Sequence, residues 1–242
     1  MRLHRVHTDQ ALEPGGTLTI SGSRAHYLSR VLRVVPGQAI VLFNGDGCDY
    51  VADIVRPGKN ELILAVTSRL PAVAESGLKI TVVQALSRGE RMDQTLQKCT
   101  ELGVAAFQPL ISERVEVRLK ADKLSRRIGH WQGIVISACE QCGRAVIPVV
   151  SEPLQLSDWL ARPTPCSRLV LEPGADQPLA GEEHTEPLEL VVGPEGGFTE
   201  SEMDSMCSKG VQAVSLGPRV LRTETAAPAA VAVLQALSGD FC

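Results

Sequence analysis

The residues best suited to chemistry lie in two turns rich in glycine, arginine and threonine. The first is Gly193-Pro194-Glu195-Gly196-Gly197, whose glycines permit positive φ angles and close approach of the backbone to a ligand. Backbone N–H and C=O groups in such a turn can recognise the edge of a purine. Thr199 and Glu202 have the spacing of a capping box, so the turn leads into a helix N-terminus, where a phosphate would also fit. The alternative for this segment alone is a tight strand-to-helix turn without a ligand.

The second turn carries two arginines and two threonines within Leu216–Thr225. Arg219 and Arg222 could hold a phosphate or stabilise an anion that develops on a nucleobase. The alternative is that both arginines only pair with the acidic C-terminal third of the chain.

Both turns follow apolar runs that predict buried strands, and a third such run ends at Leu171-Glu172-Pro173. In an open α/β sheet, ligands bind outside the carboxyl ends of the strands. Neither G-x-G-x-x-G nor G-x-x-x-x-G-K-[ST] occurs in the chain, which argues against a dehydrogenase or a P-loop protein. The three strand ends therefore predict a small-molecule site of another kind.

The elements that would position this site fall into two groups. Residues 1–70 contain short strand patterns, including two runs around Asn44-Gly45-Asp46-Gly47, and predict a small β-barrel. One helix is expected over 24–35, with an inward apolar stripe of Tyr27, Leu28, Val31, Leu32 and Val35. Residues 71–77 read as a linker. Over 78–242, strands alternate with helices, which predicts an α/β fold with a parallel sheet.

The last predicted helix is apolar on most sides and rich in small residues, so we expect it to form a dimer contact. Pro228 lies within it, which implies either a helix start near Thr225 or a kink.

Charge is distributed unevenly along the chain. The net charge is −4, but residues 1–72 carry eight Lys/Arg against six Asp/Glu, and residues 73–145 carry eleven against eight. This basic excess could bind a phosphate backbone, although a solvated mixed-charge surface explains it equally well. Aromatic residues make up only 3% of the chain, which argues against recognition by stacked rings.

The chain shows no secretory signal pattern and no apolar run long enough to span a membrane. We therefore expect a cytoplasmic protein with reduced thiols. Cys139-Glu140-Gln141-Cys142 spells C-x-x-C, but no second pair stands at zinc spacing, so we expect no metal site.

Six segments resemble the RsmE family, the 16S ribosomal RNA uridine N3-methyltransferases of the SPOUT superfamily. They occur in the family's order at 26–38, 87–104, 112–115, 138–144, 191–198 and 216–226. The resemblance implies a PUA-like, RNA-binding N-terminal barrel and a C-terminal SPOUT domain with a deep trefoil knot. It also implies a homodimer, and a substrate uridine near the decoding centre of the small ribosomal subunit.

The resemblance implies S-adenosylmethionine as the methyl donor, held by three walls. By position these are Leu171, Glu172 and Pro173; Gly193, Pro194, Glu195, Gly196 and Gly197; and Leu216, Gly217, Val220, Leu221, Arg222 and Thr223.

Methylation of uridine N3 requires an unpaired base and loss of the N3 proton. We expect Arg222, helped by Arg219 or a backbone donor, to stabilise the resulting charge. Glu140 and Glu224 are candidates for accepting the proton, although a structural role is as plausible for either. RNA docking is expected from eight arginines: Arg2, Arg5, Arg24, Arg30, Arg33, Arg88, Arg91 and Arg144.

Two further hypotheses remain open at this point. One is a non-catalytic ribosome-assembly factor that binds RNA and keeps a vestigial cofactor fold. The other, which the barrel and segment 87–104 make less favourable, is a methyltransferase of the same superfamily that acts on tRNA.

Overall fold

A computed structural model describes residues 3–58, 60–115, 121–181, 184 and 186–241, which form two compact units. The first unit contains the described residues of Met1–Glu75 and of Cys139–Ile147, and the second contains those of Ser76–Ala138 and Pro148–Cys242. The sequence suggested one boundary near 71–77. The additional return of the chain at 139–147 has no signature in composition or periodicity.

The first unit is built on a mixed five-stranded sheet. Its strands are β1 (Arg5–His7), β2 (Thr17–Ser21), β3 (Ala39–Phe43), β4 (Cys48–Pro57) and β5 (Glu61–Pro71). They follow the order β1-β3-β4-β5-β2, with β1 parallel to β3 and the other pairs antiparallel. The hairpin predicted around residues 44–47 is present as β3 and β4. Among the described residues no strand pairing joins β2 to β1, so these two strands are the ends of the path.

The prediction of a helix over 24–35 with an inward apolar stripe is wrong in part. The chain forms a short helix α1 (Gly22–His26) followed by a π-helical turn over Tyr27–Val31, in which Leu32 N–H donates to Tyr27 O at 3.1 Å. A π turn contains more residues than an α turn, so residues four apart no longer lie above one another. Leu28 is buried, whereas Tyr27, Val31 and Val35 are 52%, 61% and 58% exposed.

The second unit is built on a parallel sheet flanked by helices. Its strands are β6 (Ile80–Ala85), β7 (Ala106–Ile111), β8 (Val149–Val150), β9 (Leu154–Gln155), β10 (Ser167–Leu171), β11 (Leu188–Val192) and β12 (Gln212–Val214). Its helices are α2 (Arg91–Glu101), α3 (Ala121–Cys142), α4 (Leu156–Ala161), α5 (Glu200–Ser208) and α6 (Thr223–Ser238). The last turn of α3 belongs to the first unit.

The strand order positions three loops side by side. The sheet runs β12-β10-β11-β6-β7-β8, with β9 also paired to β7, and every pair is parallel. Strands β10 and β11 present buried residues such as Val170 and Val191, which explains their continuous apolar sequences. Because β12, β10 and β11 are parallel neighbours, the loops that follow them emerge at the same edge.

Helix α6 packs on α2, β6 and β11. It begins at Thr223, two residues before the predicted start, and places Pro228 beyond its first turn. Its inward face is apolar and includes Ala227, Val231 and Leu234. No helix among the described residues has the length and apolarity needed to cross a membrane.

Candidate active site

A cavity of about 410 Å³ lies at the carboxyl ends of β10, β11 and β12, within the second unit. We call it the donor cavity. Its lining residues are Arg91, Leu171, Glu172, Pro173, Val192, Gly193, Pro194, Glu195, Gly197, Phe198, Leu216, Gly217, Arg219, Val220, Leu221, Arg222, Thr223, Glu224 and Ala226.

The three walls expected from the sequence meet at this cavity. Of the residues expected to hold the donor, all except Gly196 line it. Gly196 faces Arg114 instead, whose Nη1 donates to the Gly196 carbonyl at 2.8 Å. Sequence reasoning missed the lining residues Val192, Phe198 and Ala226, although Val192 and Phe198 directly flank the glycine turn.

The glycine turn needs glycine for two different reasons. Gly197 has a φ of 67°, which L side chains rarely adopt. At Gly193, a Cβ atom would lie 3.3 Å from the ring of Phe198, so a side chain there would crowd the cavity wall. Beyond the turn, Thr199 caps α5 in the predicted capping box with Glu202.

A buried glutamine joins the glycine turn to the start of α6. Gln84 Nε2 donates to the Thr223 hydroxyl at 2.8 Å, and this hydroxyl donates to the Gly193 carbonyl at 2.9 Å. Gln84 is fully buried at the end of β6. The spacing between two cavity walls is therefore set by hydrogen bonds that do not depend on a ligand.

Glu195 is held by the segment that precedes and begins α2. Its Oε1 accepts from Arg88 N–H at 2.9 Å and from Arg91 Nη1 at 2.6 Å. Burial alone would raise the pKa of Glu195, but these hydrogen bonds and the charge of Arg91 lower it below the ordinary value. Arg91, expected to contact RNA, is thus placed at the donor cavity.

Three acidic residues line the donor cavity, and the third, besides Glu195 and Glu224, is Glu172 at the end of β10. Burial raises its pKa above the ordinary value. Its backbone N–H donates to Val214 O at 3.0 Å, which ties the β10 loop to β12.

The expected catalytic residues are placed differently from one another. Arg219 and Arg222 are exposed at the donor cavity, and neither forms an ion pair with a described residue, contrary to the alternative of pairing with acidic residues. Glu224 lines the cavity and lies 3.6 Å from Arg91 Nε. Glu140 does not line it. It belongs to the first unit, where its Oε1 accepts from His7 N–H at 2.9 Å, and burial raises its pKa.

The arginines expected to dock RNA also differ in environment. Arg5 forms an ion pair with Asp49 and Arg144 with Glu75, and both arginine side chains are only 7% exposed. Arg24 is half-buried with Nη2 at 3.2 Å from His7 Nδ1. Arg30, Arg33 and Arg88 are exposed. Arg2 lies outside the described residues.

The C-x-x-C pair lies at the end of α3 with both thiols free. Cys139 is buried, which raises its pKa to about 12 and makes it a poor nucleophile. The described residues contain no cluster of three or more His, Cys, Asp or Glu side chains that could hold a metal ion.

The fold and the cavity define an α/β protein with a cavity formed by glycine- and arginine-bearing loops at the carboxyl edge of its parallel sheet. A family model described as an RNA methyltransferase domain matches residues 74–235, and one described as an RNA methyltransferase PUA domain matches residues 20–67.

Comparison with similar proteins identifies the family of RNA methyltransferases to which the chain belongs. Ribosomal RNA small subunit methyltransferase E of Buchnera aphidicola is 32% identical over 99% of this chain and 98% of its own, and that of Synechocystis is 35% identical over 96% and 76%. The structure of ribosomal RNA small subunit methyltransferase E from Neisseria gonorrhoeae, bound to S-adenosylmethionine, is 40% identical. It matches all of both chains with a TM-score of 0.94. The chain belongs to the ribosomal RNA small subunit methyltransferase E family.

Proposed function

We propose that the protein transfers a methyl group from S-adenosylmethionine to N3 of one uridine in 16S ribosomal RNA, near the decoding centre of the small subunit. The observation that carries this proposal is the meeting of the glycine turn and the arginine turn at one cavity. Family membership supports the reaction and the class of RNA.

The residues present fit the methyl donor. A cavity of about 410 Å³ is within the range for ligands of this size. The glycine turn keeps side chains away from the wall at Gly193, which leaves backbone groups to contact an adenine. The donor would be held by the loops at 171–173, 193–197 and 216–223. When bound, S-adenosylmethionine supplies an electrophilic methyl carbon, to which the N3 electron pair bonds as the carbon–sulfur bond breaks.

The arginine turn supplies the electrostatic part of the mechanism. Loss of the N3 proton leaves negative charge on the uracil ring and its carbonyl oxygens. Arg222, exposed at the cavity without an ion pair to a described residue, stabilises this charge, and Arg219 assists.

Glu224 accepts the N3 proton in this proposal. Its side chain lines the donor cavity and is 14% exposed, so its carboxylate can contact a ligand there. Glu140 is a poorer choice because its carboxylate already accepts the His7 N–H. The N3–H bond breaks, the proton passes to Glu224, and the electron pair stays on N3.

The protein is proposed to act as a cytoplasmic homodimer. The outward face of α6 is apolar and partly exposed, with Pro228, Ala229, Ala232 and Val233. Small side chains on this face permit close helix packing between two copies. Sedimentation at micromolar concentration should give the dimer mass, and a purely monomeric protein would contradict this assignment.

We also propose a role for each part of the chain. Residues 1–70, of which 20–67 match the PUA model, bind RNA through exposed basic residues, and residues 71–77 are a linker. Residues 78–242, apart from the segment 139–147 that belongs to the first unit, form the SPOUT methyltransferase domain. The strand order, in which β11 lies between β6 and β10 and the chain then returns past β10 to β12, supports a C-terminal trefoil knot.

Mass spectrometry of ribosomal RNA tests the reaction. Small subunits from a strain that lacks the gene, incubated with the protein and S-adenosylmethionine, should gain one N3-methyluridine. Calorimetry should show micromolar donor binding. Absence of both would favour a non-catalytic assembly factor, and a methyl group on tRNA alone would overturn the substrate assignment.

A further inference from the structure

A second cavity adjoins the donor cavity in the same unit. It has a volume of about 410 Å³ and is lined by Arg88, Gly89, Glu90, Arg91, Gln94 and Glu224. Arg91 and Glu224 also line the donor cavity, so the two cavities share a wall. Transfer of a methyl group requires donor and acceptor to meet across such a boundary, because the reacting atoms must come into contact.

The shared wall presents a hydrogen-bond acceptor beside a donor. The Glu224 side chain is 14% exposed, and its buried Oε2 has no hydrogen-bond partner among the described residues. Arg91 Nε lies 3.6 Å from that oxygen. Because Oε2 faces this guanidinium, the exposed part of the Glu224 carboxylate is the part that a ligand in either cavity can contact.

Uracil offers the complementary pattern. Its N3–H stands between two carbonyl groups, so N3–H can donate to Glu224 while a carbonyl oxygen accepts from Arg91. Cytosine has an unprotonated N3, which would place an acceptor against the Glu224 carboxylate. The wall therefore discriminates between the two pyrimidines by hydrogen-bond polarity.

We infer that this second cavity receives the flipped-out target base and that Arg91 and Glu224 select uracil over cytosine. The inference rests on the proposed function and adds the location and the recognition of the acceptor base. Of the two cavities, Gln94 lines only the second, so a substitution of Gln94 can distinguish base binding from donor binding.

Two glutamines on α2 provide a matched test. Gln94 and Gln97 are both exposed, but only Gln94 lines the second cavity. A Gln94→Trp protein places a bulky indole in the cavity and should lose about 100-fold in kcat/KM for small subunits, with donor affinity within about twofold of wild type by calorimetry. Its affinity for an RNA fragment carrying the target uridine should fall, and Gln97→Trp should match wild type in all three measurements.

Each result separates the two proposals. If both tryptophan variants behave alike in an active enzyme, the second cavity does not bind the base. The same conclusion follows if Gln94→Trp loses donor affinity as much as RNA affinity. If wild type forms no N3-methyluridine while Gln94→Trp alone loses RNA affinity, the methylation proposal fails and the base-binding cavity stands.

Base selectivity provides an independent measurement. Glu224→Gln replaces one carboxylate oxygen with an amide donor, so the preference for a target uridine over a cytidine in RNA binding should shrink by about tenfold. An unchanged preference would contradict recognition by Glu224.

Discussion

Arginine side chains have different environments in the first unit and in the turn before α6. In the first unit, Arg5 and Arg144 are buried and each forms an ion pair. In the turn, Arg219 and Arg222 are exposed at a cavity and pair with no described acidic residue. The same residue type therefore stabilises one region and remains available for a ligand in the other.

This comparison shows that the ion pairs an arginine forms indicate its role better than its residue type does. A buried guanidinium held in an ion pair cannot contact a phosphate without breaking that pair. Arg5 also donates from Nη2 to the carbonyl of Arg144 at 3.0 Å, which links β1 to the segment 139–147. Four predictions test the distinction, in order of decreasing effect.

The largest effect is expected at the donor cavity. Arg222→Ala removes a cation of the donor cavity that is proposed to stabilise the charge developing on uracil, so kcat should fall by about 10²–10³-fold. Single-turnover methylation of small subunits measures it, with calorimetry to confirm that the donor still binds. Unchanged turnover would eliminate the assigned role.

The next effect concerns stability. Arg144→Met leaves the Glu75 carboxylate without its buried cation and should lower the stability of the first unit by about 3 kcal/mol. Hydrogen exchange of peptides that cover β3 and β4 reports this locally. The double variant Arg144→Met/Glu75→Leu should recover most of the loss. A single variant as stable as wild type would contradict the structural assignment.

A smaller effect is expected for an exposed arginine of the first unit. Arg30→Ala should weaken binding to all RNA sequences by about tenfold and reduce the slope of log affinity against log salt by about 1. Stability should change by less than about 0.5 kcal/mol because the side chain is exposed. A sequence-specific loss of affinity would argue against a phosphate contact.

The smallest effect depends on pH. Burial of His7, with the charge of Arg24, holds the His7 pKa below 6.5. The unfolded chain binds the proton more readily, so the first unit should lose stability as pH falls from 6.5 towards the folded-state pKa. Hydrogen exchange at two pH values measures the slope, which should be shallower in Arg24→Met. Stability that increases on acidification would reverse the assigned sign.

Much of the local structure was predictable from the sequence. The glycine turn, its capping box at Thr199 and the hairpin around residues 44–47 are encoded by neighbouring residues, and the structure contains them. The three strand ends could be placed together because parallel strands emerge at one edge. The gathering of these loops at one cavity followed from that rule and from the family resemblance.

Contacts between distant residues could not be predicted. Nothing near Arg144 indicates that Glu75 is its partner, and nothing near Arg91 indicates that it holds Glu195. The π turn at 27–31 also escaped detection, because periodicity was read with the spacing of an α-helix. The helical segment also ends at Val31, so Val35 lies beyond it and is exposed.

The three walls of the donor cavity come from segments that lie progressively later in the chain, the last of them at 216–226. During synthesis, a chain that has not reached this segment lacks one wall and the helix that covers it. The complete donor cavity therefore forms only after this segment has been translated. A polypeptide that terminates before residue 216 would lack this wall, so an intact donor cavity also reports that translation has passed the start of α6.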